Sequence, residues 1–255
     1  MLSRRVVTLA CIRPGSLQGA VNEALHGAFF HLVRDWDSMA ATDLHGAANK
    51  PFTMGATGNV RIHGMAEGQE WAFDVSGLTD AANLAIDRAF AKGAIVPLGR
   101  SAHRIVNVAM KESATFEELV ETGFADSWMK MSLEALSPTS FRRLGRQILL
   151  PDPGLVFGTL QRRWSEFSTV TPDTSLMERW PEDVLVTQFN VRTAVETFDR
   201  YKIIGFVGRV DYGIRTEAPQ YMRGWFRALA QFARFAGLGY KTTMGMGRVR
   251  VTPAR

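Results

Sequence analysis

One alternation of periodicities, met in both halves of the chain, restricts this sequence more than any other feature. Arg5–Ile12 is β-branched and apolar, the pattern of a buried strand. Pro14 and Gly15 break it, and Ser16 is placed to cap a helix from Leu17 to about Trp36. Within that helix Leu17, Val21, Leu25 and Phe29 recur every fourth residue, with Ala20, Ala24 and Ala28 beside them. Asp43–Gly58 is rich in Gly, Pro, Asn and Thr and reads as a loop. Asn59–Met65 and Glu70–Val75 read as two strands turning at Gly68, Asp80–Ala91 as a second helix, and Ala94–Leu98 and Arg104–Met110 as further strands. Strand, helix, two strands, helix and strand is the ferredoxin-like order, also used by RNA-recognition modules.

The second half repeats the order with insertions. Thr115–Gly123 is a short helix whose Thr115 and Glu118 have capping-box spacing. Lys130–Leu136 reads as a strand, Leu155–Phe167 as a helix, and Val184–Phe189 and Ile203–Tyr212 as strands. Met222–Phe235 is strongly periodic helix, and Arg248–Thr252 is the last strand. The expected fold is α+β, with two tandem ferredoxin-like domains built on antiparallel sheets. Residues 1–128 would form the first and 129–255 the second.

Composition narrows the class. Lys and Arg number 30 against 25 Asp and Glu, a net charge of +5 with a pI near 9.6. The excess is modest, but it is concentrated. Arg223, Arg227, Arg234, Lys241, Arg248, Arg250 and Arg255 crowd the C-terminal end, where no acidic residue lies. Such a bias favours a polyanionic partner. Cys11 is the only cysteine, which excludes a disulfide framework or a cysteine-rich zinc site and suits a reducing compartment. The basic N-terminus carries only a short apolar run and reads as a first strand, not a signal peptide. No apolar run approaches the ~20 residues of a membrane span. A cytoplasmic protein with no membrane partner is expected.

Chemistry concentrates in Ala236–Val251, AGLGYKTTMGMGRVRV. Gly237, Gly239, Gly245 and Gly247 bracket Lys241, Thr242 and Thr243, with Arg248 following. Glycine admits positive φ and close backbone approach, while lysine, hydroxyls and backbone N–H groups suit phosphate. The order GxxxxGK[ST] is absent, so nucleotide hydrolysis is not implied. On residues alone, a phosphodiester cradle and a glycine-rich turn remain equal readings. The five histidines, His26, His31, His45, His63 and His103, form no compact metal spacing, and no metal or cofactor is expected. Ser137–Arg143, SPTSFRR, adds hydroxyls with Arg142 and Arg143, for phosphate contact or a capped turn.

FARFAGLGYKTTMGMGRVRV resembles the C-terminal glycine-rich signature of the CRISPR-associated endoribonucleases that cut precursor CRISPR RNA within its repeats, members of the repeat-associated RNA-binding superfamily. Leu44–Gly55, Ser137–Arg143, Leu150–Phe167 and Lys202–Tyr212 resemble further blocks of that family, in its order. The resemblance implies metal-independent attack of an RNA 2′-hydroxyl on the adjacent phosphorus, leaving a 2′,3′-cyclic phosphate and a 5′-hydroxyl. It implies that His45 is the acid–base residue and Lys50 its neighbour. The family's tyrosine has no clear counterpart; Phe30 and His31 occupy its region, and His31 takes the role if it faces His45. CRISPR repeat RNA is the expected partner, other effector subunits a further class, and direct DNA binding is not expected. The alternative is a non-catalytic RNA-binding subunit of a CRISPR effector complex.

Overall fold

The computed structural model describes residues 1–254; Arg255 lies outside them. The chain forms two compact units. The first comprises Met1–Ser113 with two short returns, Thr197–Lys202 and Thr243–Gly245, and the second holds the remainder from Ala114 onward.

The first unit runs β1 (Leu2–Arg13), α1 (Val21–Trp36), α2 (Ser38–Gly46), β2 (Phe52–Ala56), β3 (Glu70–Gly77), α3 (Asp80–Ala89), β4 (Ile95–Leu98) and β5 (Ser101–Ala114). Its sheet order is β2-β3-β1-β5-β4, the ferredoxin-like arrangement with β4 added as a hairpin on the β5 edge. β1 and β3 are antiparallel with Val7 opposite Phe73 and Leu9 opposite Trp71. One face of this sheet and one face of α1 bury Phe29, Phe52, Phe73 and Phe90. Their ring centroids lie 4.9 Å (Phe29–Phe52), 5.6 Å (Phe29–Phe90) and 4.9 Å (Phe73–Phe90) apart. Each such side chain contributes about 1.5–3 kcal/mol by leaving water.

Two elements differ from the sequence reading. The second strand is not Asn59–Met65, which is irregular, but Phe52–Ala56, inside the expected loop. Phe52 and Met54 alternate into the core and pair opposite Gly77 and Val75. Tertiary pairing thus overrides the turn-rich composition of the segment. α1 starts at Val21 rather than Leu17, because Gly19 has φ +92° and cannot continue a helix. Ser16 instead accepts through its carbonyl from Arg100 N at 2.9 Å.

The second unit opens with α4 (Phe116–Ala125), whose Thr115–Glu118 capping box forms with bonds of 3.0 and 2.8 Å. Then follow β6 (Lys130–Thr139), β7 (Phe141–Arg143), β8 (Arg146–Ile148), α5 (Pro153–Phe167), α6 (Leu176–Asp183), β9 (Val184–Thr197), β10 (Lys202–Ile214), α7 (Gln220–Ala236) and β11 (Val249–Ala254). The main sheet is β11-β6-β10-β9, again ferredoxin-like, and β7–β8 is a separate hairpin. The fold is therefore α+β, two ferredoxin-like units with antiparallel sheets. Trp164, Trp180, Tyr212 and Phe226 fill the second core. Their polar atoms are satisfied: Tyr212 Oη donates to Pro151 O at 2.8 Å and Trp180 Nε1 to Gln161 Oε1 at 2.7 Å. No helix among the described residues is long and apolar enough to cross a membrane.

His103 is fully buried on β5. Trp71 Nε1 donates to its Nδ1 at 3.1 Å, and Ser101 Oγ, which itself donates to Leu98 O at 2.7 Å, lies 3.0 Å from Nε2. Nδ1 must therefore accept and Nε2 donate, which requires the neutral ring. Burial lowers the His103 pKa below the ordinary 6.5. Below that pH the unfolded chain binds a proton that the folded one refuses, so stability falls as pH falls. Resistance of the wild type to urea unfolding is expected to weaken from pH 7 to pH 5, and His103→Gln to be less stable at pH 7 but to decline less steeply. Parallel slopes for the two proteins would remove His103 from the pH dependence.

Candidate active site and nucleic-acid interface

α1 carries His26, Phe30 and His31. His26 and Phe30 are four residues apart and share a face, whereas His31 stands about 100° further round the helix. Phe30 is buried, and its ring meets His26 edge-on at 5.0 Å and His45 edge-on at 5.1 Å between centroids. His26 also stacks over Phe52 at 6.1 Å. The rings thus form a cluster in which Phe30 meets His45, His26 and, at 5.9 Å, Phe52. His31 is exposed, with Nδ1 3.7 Å from Asp35 Oδ1 one turn along α1, and the structure does not bring it to His45.

His45 is not in a loop. It occupies the last turn of α2, a helix capped by Asp37, whose carboxylate accepts from Ala40 N at 2.8 Å. Ala41 and Leu44 hold that helix to the core, while His45 stays exposed. Lys50 Nζ donates to His45 O at 2.9 Å and to Ala47 O at 3.3 Å. A cation on the last carbonyls of a helix is favourable. Lys50 therefore fixes the backbone that presents His45.

The glycine-rich segment begins where α7 ends. Gly237, Gly239, Gly245 and Gly247 all have positive φ, between 64° and 85°. Leu238 N donates to Gly247 O at 2.8 Å and Gly247 N to Pro138 O at 3.1 Å, closing the loop at its base. A β-carbon on Gly247 would run into the Leu238 carbonyl oxygen, so glycine is required there. Leu238 and Met246 are fully buried beneath the loop.

Lys241, with φ +57°, is the one non-glycine residue of this segment in the left-handed region. That conformation costs a side-chain-bearing residue about 1–2 kcal/mol. Its Nζ lies 5.4 Å from the centre of the Tyr240 ring. Arg142, on β7, lies 4.9 Å from the same centre and donates to Tyr240 Oη at 3.2 Å. Arg143 is exposed beside it, and Arg248 is half-buried with its backbone N–H on Ser137 Oγ at 2.9 Å.

Thr242 turns inward. It is 4% exposed, and its hydroxyl accepts from Arg163 Nη1 at 2.7 Å. Burial lowers the Arg163 pKa to about 10 while Glu166 opposes the shift, so the guanidinium stays charged at neutral pH. Thr243 and Gly245 belong to the first unit. There Thr243 O accepts from His26 Nδ1 at 3.0 Å, and Gly245 N donates to Met54 O at 2.8 Å.

Three residues outside the candidate set stand in these arrangements: His26, Arg163 and Tyr240. His26 carried a signal, its i,i+4 spacing from Phe30, masked by the alanines around it. Tyr240 carried one too, adjacency to Lys241. Arg163 carried none that separates it from a clamp on a ligand. One cation of the C-terminal cluster is structural. Arg227 is 5% exposed and donates to Trp128 O at 2.8 Å and to Gly123 O at 3.0 Å, near the C-terminal end of α4. Among the described residues, no three His, Cys, Asp or Glu side chains are grouped to hold a metal ion.

Residues 133–249 match the family described as CRISPR-associated endoribonuclease Cas6. A Mycobacterium tuberculosis protein of that name (strain CDC 1551 / Oshkosh) is 31% identical over 125 residues, which is 49% of this chain and 39% of the relative. The chain thus aligns with about two fifths of that curated relative's length. Among solved structures, a Thermus thermophilus Cas6 product complex superposes with a TM-score of 0.82 at 25% identity, over 99% of this chain and 100% of that one. A second Cas6 product complex gives 0.78 at 28% identity, over 99% and 100%.

Proposed function

We infer that this chain is a member of the CRISPR-associated endoribonuclease Cas6 family, and that it binds CRISPR repeat RNA and cleaves the precursor within its repeats. The solved relatives include a substrate mimic complex and product complexes. The observation that carries the reading is the pair of imidazoles that both meet the Phe30 ring, with His26 hydrogen-bonded to the glycine-rich segment.

The chemistry proposed is transesterification. The 2′-oxygen attacks the adjacent phosphorus as its proton leaves to a base. The bond to the 5′-oxygen breaks, and that oxygen takes a proton from an acid. A cyclic phosphate and a 5′-hydroxyl result, with no water and no metal consumed. Two imidazoles supply one group for each proton transfer. A carbonyl only accepts, so His26 Nδ1 carries the proton shared with Thr243 O, and Nε2 is the nitrogen that exchanges one. His45 is the second group, and Lys50 holds its helix end in place and adds positive charge. His31 takes no part, because it points elsewhere on α1.

Binding falls to the glycine-rich segment with Arg142, Arg143 and Arg248. Lys241 supports this assignment, because glycine would relieve its backbone strain and only the side chain repays keeping lysine. Thr242 contributes by shaping the loop from beneath through Arg163 rather than by direct contact.

A repeat RNA with a single 2′-deoxy substitution at the scissile nucleotide is expected to bind but not to be cut, and the all-ribose RNA to be cut in excess EDTA. Gel analysis of end groups reads both. Cutting of the deoxy substrate would mean that water attacks and would sink the transesterification reading. Tight binding with no cleavage of any repeat RNA would favour a non-catalytic RNA-binding subunit of an effector complex.

A further inference from the structure

We propose that Asn22 is a positioning residue for the cleavage reaction: it holds residues 243–245 where the Thr243 carbonyl selects the tautomer of His26. The inference rests on the reading above that His26 exchanges a proton with the substrate, and it names what prepares that histidine.

Asn22 stands four residues before His26 on α1, so the two side chains share a face of the helix. Both are half-buried. What they meet comes from two other parts of the first unit, β2 and the return of residues 243–245. β2 is an edge strand of its sheet. Met54 and Ala56 lie two residues apart on it, so their main-chain groups point the same way, off the edge. An edge strand leaves such groups to find partners outside the sheet. Here they find two of different kinds. Gly245 N donates to Met54 O at 2.8 Å, and Ala56 N donates to Asn22 Oδ1 at 2.8 Å. The side-chain amide thus extends by one rung the pairing that Gly245 begins.

The two rungs touch. A β-carbon on Gly245 would run into the Asn22 amide, so the absent side chain is the space that the amide fills. Residue 245 is therefore tied to β2 through its N–H and blocked on another side by Asn22. Thr243 lies two residues earlier, and its carbonyl accepts from His26 Nδ1 at 3.0 Å. The same face of α1 thus both fixes this segment, through Asn22, and reads it, through His26.

The chemical consequence lies in the imidazole. A neutral ring has one proton for two nitrogens, and the hydrogen bond made by one nitrogen decides the state of the other. A carbonyl only accepts, so Thr243 O keeps the proton on Nδ1 and leaves the Nε2 lone pair free to take one. A ring that loses this carbonyl can place its proton on Nε2, which then cannot serve as a base. No side-chain substitution at position 243 deletes a main-chain carbonyl. Control falls to the group that holds the segment in place. Asparagine suits that task because it is short and flat against Gly245 and still offers an acceptor to Ala56 N. Leucine would fill a similar volume without the acceptor.

The test uses the full chain and single-turnover cleavage of repeat RNA at saturating enzyme. Asn22→Ala is expected to slow cleavage by ~10–10²-fold, the usual effect of a small misplacement at a reacting group, with repeat-RNA affinity unchanged. Nitrogen NMR of histidine-labelled protein at alkaline pH, with the His26 signal assigned by its loss in His26→Gln, should show the proton moving from Nδ1 to Nε2. Asn22→Leu, which preserves volume, is expected to behave the same way and replaces Asn22→Ala should that variant not fold. Asn22→Asp keeps the shape and the acceptor, so it should retain the Nδ1 proton and cleave faster than either. In a His26→Gln background Asn22→Ala should slow cleavage no further, because its effect runs through the ring that is already gone. A folded Asn22→Ala or Asn22→Leu that cleaves at the wild-type rate overturns the proposal. A slow variant whose His26 proton stays on Nδ1, or one that slows His26→Gln again by the same factor, makes Asn22 a purely structural residue and overturns it equally. A normal rate for His26→Gln itself overturns the catalytic reading of His26 and this inference with it. A slow His26→Gln beside a normal Asn22→Ala leaves that reading standing and removes the positioning role alone.

Discussion

His45→Ala is expected to slow single-turnover cleavage by ~10²–10⁴-fold, the usual worth of general acid–base assistance, while repeat-RNA affinity stays near that of the wild type. His45 is exposed at the end of α2, so its removal leaves no cavity. His26→Gln is expected to act on the same scale. Glutamine can still donate to Thr243 O but cannot exchange a proton. His31→Ala should fall within a factor of a few of wild type, because its ring faces Asp35 and solvent. Rates at saturating enzyme, with affinity and melting temperature measured alongside, decide among them. A His45→Ala rate near that of wild type would remove His45 from the mechanism. A normal His26→Gln rate would leave the second proton transfer to a group outside the ring cluster.

Gly245→Val is expected to cost about 2–4 kcal/mol of stability and to weaken RNA binding with it. Gly245 has φ +85°, where a β-branched residue is strained. Its β-carbon would also run into the Asn22 side-chain amide. That amide is already committed, because Asn22 Oδ1 accepts from Ala56 N at 2.8 Å and so fixes the end of β2 to α1. Gly245 N donates to Met54 O two residues earlier in the same strand. One substitution therefore disturbs α1, β2 and the position of Thr243 against His26. Gly27→Ala is the control: Gly27 lies inside α1, a β-carbon there meets nothing within 4 Å, and the change should be neutral or stabilising. Equal melting temperatures for Gly245→Val and wild type would show that the segment tolerates another path.

The order of elements was legible because period-two and period-3.6 patterns survive in the sequence wherever one face is buried. Arg5–Ile12, Asp80–Ala91 and Met222–Phe235 read correctly for that reason, and the Thr115–Glu118 box announced α4 by local chemistry alone. Phe52–Ala56 did not read as a strand, because its glycine and proline neighbours carry turn signals and only pairing with β3 outweighs them. His45 did not read as helical, because Gly46 and Asn49 suggest a loop, while the cap at Asp37 and burial of Leu44 extend α2 past it.

By itself, then, the sequence determined the two ferredoxin-like units, the absence of a metal-ligand spacing, and four glycines where the backbone must take positive φ. Those are local quantities: periodicity, residue type and steric freedom. Which imidazole of α1 shares the Phe30 ring with His45 was decided by tertiary structure alone. It depends on the face of α1 that packs on Phe52, which puts Phe30 and His26 in one ring cluster and turns His31 to solvent. The inward turn of Thr242 onto Arg163, and of Arg227 onto the end of α4, were decided the same way. A charge or hydroxyl in a sequence is equally suited to a ligand and to a backbone carbonyl, and only the neighbours brought by folding settle which it meets.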